Sequence, residues 1–184
     1  MMTYQVIDGY IPKIDEDRIL EILTMDFPWY YNEHTMYDPS TKNDKPQFVH
    51  SFCHDGKYEG NHDIFQFIKS IFPFPEWNTH RLYRCKFNLN LPLHNRKIIT
   101  PHLDVPNSDF KGVIYLYYVD DSDGDTRIYP GMNKLKDFKY QKYFPVKVNP
   151  KKGRLIKMSA DTWHTSNVPR KFKKRIVGNF AFLD

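Results

Sequence analysis

Cysteine is nearly missing from this chain: its 184 residues include two, Cys53 and Cys85. Two thiols cannot build a disulfide framework, so a small stapled secreted scaffold is excluded and a reducing compartment is expected. Glycine is scarce as well, eight residues in all, which excludes collagen-like and glycine-rich low-complexity chains. No apolar run approaches the ~20 residues needed to span a bilayer. The opening MMTYQVIDGY has neither the basic n-region nor the apolar h-region of a secretory leader. A cytoplasmic protein with no membrane partner is therefore expected. Internal repeats at solenoid or propeller period are lacking too.

What is present is a folding composition. Apolar residues make up 40% and aromatics 16%, which excludes the disordered class, poor in aromatics and strongly charged. The length suits one domain over 1–184, with 1–80 as helical support and flanking strands and 81–184 as the β-rich part. The net charge of +5 sits unevenly. Lys147, Lys151, Lys152, Arg154 and Lys157 form one basic cluster; Arg170, Lys171, Lys173, Lys174 and Arg175 form another. Such clusters hold an acidic partner or phosphate, or are simply a solvated face; a nucleic-acid partner stays open but is not favoured.

In the N-terminal third, Asp15 is placed to cap a helix with Ile19, Leu20, Leu23 and Phe27 on one face. Asn61 or Asp63 starts a second, with Ile64, Phe65, Ile68, Ile71 and Phe72 at helical spacing, and Pro73 and Pro75 end it. From about Arg81 the texture changes. Over Leu82 to Leu91, polar Arg84, Lys86, Asn88 and Asn90 alternate with Tyr83, Cys85, Phe87 and Leu89, the period of a strand buried on one face. Further β runs cover Val113 to Val119, Thr126 to Tyr129, Tyr143 to Val148, Arg154 to Met158 and Arg175 to Phe182. Turn signals such as Asp123-Gly124 and Lys152-Gly153 separate them. Two helices followed by short strands predict an α+β, mainly β fold built on a double-sheet roll.

Chemistry concentrates in Thr100-Pro101-His102-Leu103-Asp104. On a strand, His102 and Asp104 share a face. His164 follows the apolar run 154–158. Two imidazoles and a carboxylate form a facial triad that holds Fe(II) and leaves adjacent positions open for a chelating co-substrate and O2. A His-x-Asp pair alone occurs often in surface turns; the β-rich spacing to His164 and the basic residue beyond it strengthen the reading. Arg175, eleven residues past His164, opens an alternating strand where a guanidinium can clamp a carboxylate in bidentate fashion. Lys174 faces the opposite way in that register. Asn88, on the polar face of the preceding strand, is a candidate to line the pocket.

Residues 100–182 resemble the catalytic core of the 2-oxoglutarate/Fe(II) oxygenase superfamily, in particular its prolyl-hydroxylase-like branch. The resemblance runs from His102-Leu103-Asp104-Val105-Pro106-Asn107 through Ile114-Tyr115-Leu116-Tyr117-Tyr118 to Gly124-Asp125-Thr126-Arg127-Ile128-Tyr129-Pro130. It resumes at Lys152-Gly153-Arg154-Leu155-Ile156 and continues to His164 and Asn167-Val168-Pro169. It implies a double-stranded β-helix (jelly-roll) core with N-terminal supporting helices. It also implies Fe(II), 2-oxoglutarate and O2 as cofactors, with ascorbate as an optional reductant. Tyr118 falls where that branch places a tyrosine hydroxyl on the distal carboxylate of 2-oxoglutarate. The implied activity is C–H hydroxylation, with a prolyl residue of a peptide or protein as leading substrate. The alternatives are an oxygenase acting on a free amino acid or other small molecule, and a non-catalytic metal-binding β-roll that binds protein or nucleic acid.

The chain also departs from the superfamily. Ala181 stands where nucleic-acid dealkylases carry a second arginine, and Asp104 stands where halogenases carry a small residue. The loop Leu91 to Ile99 differs from the prolyl-hydroxylase pattern. Asp121-Ser122-Asp123-Gly124-Asp125 fails as an EF-hand, because Thr126 and Met132 occupy loop positions six and twelve. His50, Cys53 and His54 lack the second ligand pair of a structural zinc site.

Overall fold

The computed structural model describes residues 4–33, 45–93, 100–105, 111–132 and 144–184. In chain order the elements are β1 (Tyr4–Ile7), α1 (Lys13–Thr24), β2 (Tyr30–Asn32), β3 (Gln47–His54), β4 (Lys57–Tyr58), α2 (His62–Ile71), a 3-10 turn (Pro75–Asn78), β5 (Arg81–Asn90), β6 (Gly112–Tyr118), β7 (Thr126–Ile128), β8 (Val146–Val148), β9 (Leu155–Ser159), β10 (His164–Ser166) and β11 (Arg175–Leu183). They form two antiparallel sheets, one ordered β1-β9-β6-β11-β5-β3-β2 with β4 on β3, the other β10-β7-β8. This is a mainly β, jelly-roll architecture with two helices.

Strand alternation divides the core in two. From β6, Tyr115 and Tyr117 join Phe180 and Phe182 of β11 and the apolar faces of both helices. The other face of the same strands, Ile114, Leu116 and Tyr118 with Val177 and Ala181, packs toward Ile128 and Val148 of the small sheet. The large sheet is therefore buried on both sides, which is why β11 is buried along its whole length. The side facing the small sheet turns a set of polar groups inward, Arg175 and Asn179 among them.

The first helix begins differently from the sequence expectation, and the second begins as expected. Asp15 does not cap α1, which starts at Lys13 after Pro12; Asp15 lies in the first turn, where a carboxylate complements the helix dipole. For α2 the cap is Asn61, whose Oδ1 accepts from the amides of Asp63 and Ile64 at 2.9 and 3.1 Å. Phe65, Ile68 and Ile71 are its buried stripe. The support layer also holds four strands, and β3 is an integral member of the large sheet, paired with β5. The 143–148 run is strand from Val146, and Tyr143 lies outside the described residues.

Asp120, just past β6, sets the start of β11. Its Oδ1 accepts from the Ile176 amide at 2.9 Å, while the Val119 amide donates to the Ile176 carbonyl at 3.1 Å. Burial pushes the Asp120 carboxyl from 3.8 up to about 6, against the pull of the Ile176 amide, Lys174 and Arg175. Between those two values the folded chain holds this proton more tightly than the unfolded one, so the contribution to stability falls as pH rises from about 4 to about 6. At about 1.4 kcal/mol per unit this amounts to roughly 2–3 kcal/mol. Asp120→Asn keeps the acceptor and cannot ionise. Urea unfolding at pH 4 and pH 7 should show the variant gaining that amount relative to wild type; an equal difference at both pH values would contradict it.

Candidate metal centre and its cavity

The segment carrying His102 is not a regular strand. His102 makes one isolated bridge, its amide donating to the His164 carbonyl at 2.9 Å and its carbonyl accepting from the His164 amide at 3.1 Å. That single bridge suffices to place the two imidazoles side by side, ring centroids 4.8 Å apart. Asp104 follows in a bend, its Oδ2 3.3 Å from His164 Nε2 and its Oδ1 3.9 Å from His102 Nε2. One donor atom from each of the three residues lies within 4.8 Å of the others, and no other such cluster exists among the described residues. His50, Cys53 and His54 form none; His50 Nδ1 lies 2.7 Å from the Pro28 carbonyl.

The surroundings fix the donors. His164 Nδ1 lies 3.0 Å from the Thr162 carbonyl, which assigns its proton there and leaves Nε2 free to ligate. Arg84 donates to Asp104 Oδ1 at 3.2 Å, and Asn179 Nδ2 donates to Oδ2 at 2.9 Å. Burial opposes ionisation of Asp104, but His164, Arg84 and His102 together hold its carboxyl well below the usual range. Burial and neighbouring His164 push His102 down to about 4, so it is neutral at physiological pH. For His164 burial acts downward, yet the Asp104 carboxylate outweighs it and raises the ring. An ionised oxygen and two imidazole nitrogens, converging from two buried residues and the half-buried His102, fit a divalent first-row metal of intermediate softness.

The cluster opens into a cavity of about 740 Å³. Toward one end of its wall stands Arg175, 3% exposed. Arg175 Nη2 donates to Thr126 Oγ1 at 2.9 Å and Nη1 to Asn90 Oδ1 at 3.3 Å. Its guanidinium carbon lies 5.3 Å from the centre of the Tyr118 ring. No carboxylate among the described residues pairs with it, so a buried cation is held by neutral groups and faces open volume. Lys174 points elsewhere, into a recess with Leu20 and Thr24 of α1.

Asn88 lines the cavity with its Oδ1 buried and unpartnered. Tyr118 does not form part of the wall: its hydroxyl donates to Thr126 Oγ1 at 2.6 Å, behind the guanidinium. Arg84, Lys86, Asn90, Thr126 and Asn179 also line the cavity, beyond the residues the sequence motifs mark. A signal existed, since Arg84, Lys86, Asn88 and Asn90 are the polar face of β5; that face meets the cavity rather than solvent. Burial pushes the Lys86 ammonium down to about 8, with Arg84 adding to the effect and Asp104 opposing it. The first basic cluster is largely occupied elsewhere. Arg154 and Lys151 pair with Asp8, Lys152 with Asp17, and Lys157 with Glu76.

No protein-family model matches the sequence, and no curated protein does. Solved structures do match. A prolyl hydroxylase of Trichoplax adhaerens, in complex with a hypoxia inducible factor peptide fragment, superposes with a TM-score of 0.63 at 16% identity, covering 99% of this chain and 84% of that one. A 2OG-Fe(II) oxygenase family protein of Burkholderia pseudomallei gives 0.66 at 15% identity, covering 98% and 85%. The chain has the fold of the 2-oxoglutarate/Fe(II) oxygenases. HygX of Streptomyces hygroscopicus, with nickel and 2-oxoglutarate bound, gives 0.63 at 11% identity over 98% and 82%. The likeness thus extends from residues 100–182, where the sequence carries it, to nearly the whole chain. No helix among the described residues is long and apolar enough to cross a membrane.

Proposed function

We propose that this protein is an Fe(II)- and 2-oxoglutarate-dependent dioxygenase that hydroxylates a C–H bond, a prolyl residue in a peptide or protein being the leading substrate. One observation carries the reading: the His102–Asp104–His164 cluster lines the same cavity as the guanidinium of Arg175, which no carboxylate among the described residues pairs. His102, Asp104 and His164 would hold the iron, which with 2-oxoglutarate and O2 supplies the oxidising power that no side chain has. The chain's own residues bind and orient. Arg175 takes the distal carboxylate of 2-oxoglutarate, with Thr126 and Asn90 fixing the plane of its fork. Arg84 and Asn179 keep the Asp104 carboxylate aimed at the metal position. The prolyl assignment is supported by the run from His102 to Pro130 and by the fold shared with the Trichoplax adhaerens enzyme.

Gly124 ties the loop after β6 to this apparatus. A Cβ there would meet the Asn167 carbonyl oxygen at 2.5 Å, the Val168 carbonyl carbon at 2.9 Å and Arg175 Cδ at 3.0 Å. Gly124→Ala should therefore displace Arg175, weakening 2-oxoglutarate binding about tenfold while metal binding stays unchanged. Calorimetric titration of both ligands checks this, and unaltered 2-oxoglutarate affinity would contradict it.

The function is tested by a succinate-release screen over proline-containing peptides and proteins, free amino acids and oligonucleotides, with mass spectrometry for the gain of one oxygen atom. Stimulation by a proline-containing peptide or protein is expected. Stimulation by free amino acids or nucleotides alone would overturn the prolyl assignment, and the lack of any 2-oxoglutarate turnover would overturn the oxygenase reading.

A further inference from the structure

Lys86 is the one cationic side chain among the described residues of the cavity wall that the oxygenase reading leaves unused, and its position is awkward without a ligand. It lies opposite Asn179 in the β5–β11 register, and Asn179 holds Asp104. Lys86 thus stands level with the metal donors, on the face of β5 that lines the cavity. Among the described residues its ammonium has no carboxylate or hydrogen-bond partner. Asp104, the carboxylate that acts on it, is already engaged by Arg84, Asn179 and His164.

A half-buried ammonium without a counter-ion is partly desolvated at a cost. Placed beside a site that holds a dication, it is costly twice, because it also repels the metal. An anion that enters with the ligand relieves both. The co-substrate is one source of such an anion, but its place is at the other end. Asn90 and Arg175 lie four residues along the strand from Lys86 and Asn179, about 13 Å. A five-carbon diacid anchored at Arg175 and chelating the metal uses that stretch. The cavity continues past the metal donors to Tyr83, His54 and Asp55. Lys86 faces the volume in which the second substrate must sit.

We propose that Lys86 seats a carboxylate of the molecule that is oxidised, so that the substrates of this protein carry an acid group close to the carbon that reacts. The inference rests on the oxygenase reading and narrows it. For a prolyl substrate the acid is either the carboxylate of a chain-terminal proline or the side chain of an adjacent aspartate or glutamate.

The test uses the full-length protein loaded with Mn(II) and 2-oxoglutarate, with binding of blocked probes followed by calorimetry. N-acetyl-L-proline is compared with N-acetyl-L-prolinamide, and acetyl-Asp-Pro-amide with acetyl-Asn-Pro-amide, so the two sources of the carboxylate are read separately. At least one acid should bind about tenfold more tightly than its neutral partner. Lys86→Gln should remove that preference and Lys86→Arg should keep it, with 2-oxoglutarate affinity unchanged within about twofold in both. Equal binding of acid and neutral probes, no binding of either acid, or a preference that survives Lys86→Gln would overturn the proposal. So would a loss of 2-oxoglutarate affinity in Lys86→Gln, which would assign the lysine to the co-substrate. Wild-type protein that takes up neither Mn(II) nor 2-oxoglutarate would instead overturn the oxygenase reading at the first step of the same experiment.

Discussion

Replacing His164, His102 or Asp104 by alanine is expected to weaken Fe(II) binding by more than about a hundredfold and to take turnover to background. The magnitude follows from comparison. Loss of a group that only orients a ligand typically costs about 10–100-fold in metal affinity, and loss of the ligand itself costs more. Two donors remain after each change, and the Asp104 carboxylate is the one anionic donor of the three. Asn179→Ala and Arg84→Ala provide the internal scale, because each removes one hydrogen bond to Asp104 and leaves the donor in place. Both should fall in the range of about 10–100-fold. Equilibrium dialysis against Fe(II) under anaerobic conditions measures all five variants. Alanine variants of the triad that bind iron as wild type does would show that the metal lies elsewhere.

The second large effect is expected at Arg175. Arg175→Ala should retain iron and lose about 2–4 kcal/mol of 2-oxoglutarate binding, because a buried carboxylate is left without its partner. Lys174→Ala should do little, since its side chain lies against α1 on the other side of the sheet. The contrast between neighbours is the informative part. A one-residue slip of β11 would exchange their roles, and the bonds between Val119, Asp120 and Ile176 oppose such a slip. Titration of 2-oxoglutarate into both variants distinguishes the two outcomes, a large loss in Lys174→Ala being the contrary one.

The parts of this fold that follow simple periodicity were legible in the sequence. β5 alternates, β6, β9 and β11 read as short β-branched, aromatic or apolar runs, and α2 carries its cap and its stripe in plain view. β3 was not legible, because Gln47, His50, Ser51 and His54 interrupt its apolar residues and its burial does not alternate cleanly. It is held by its pairing with β5, a long-range fact that local pattern does not carry. The candidate cluster was legible as residue types at a spacing, although shared strand geometry is not what assembles it: a single bridge between His102 and His164 brings the rings together. Arg84 and Asn179 were hidden because they act on Asp104 from the two strands of one pair, β5 and β11, where alternation shows a face but not what lies opposite it. Pro106, Asn107 and most of the 91–99 loop fall outside the described residues.

The central claim is that one cavity binds Fe(II) and 2-oxoglutarate together, and anaerobic titration of the purified protein tests it most directly. Fe(II) is added first and 2-oxoglutarate second, with the visible spectrum recorded throughout. The weak metal-to-ligand charge-transfer band of a chelated 2-oxo acid is expected to grow with 2-oxoglutarate and to be lost in the His164→Ala protein. Iron bound with no such band, or a band that survives His164→Ala unchanged, would contradict the account.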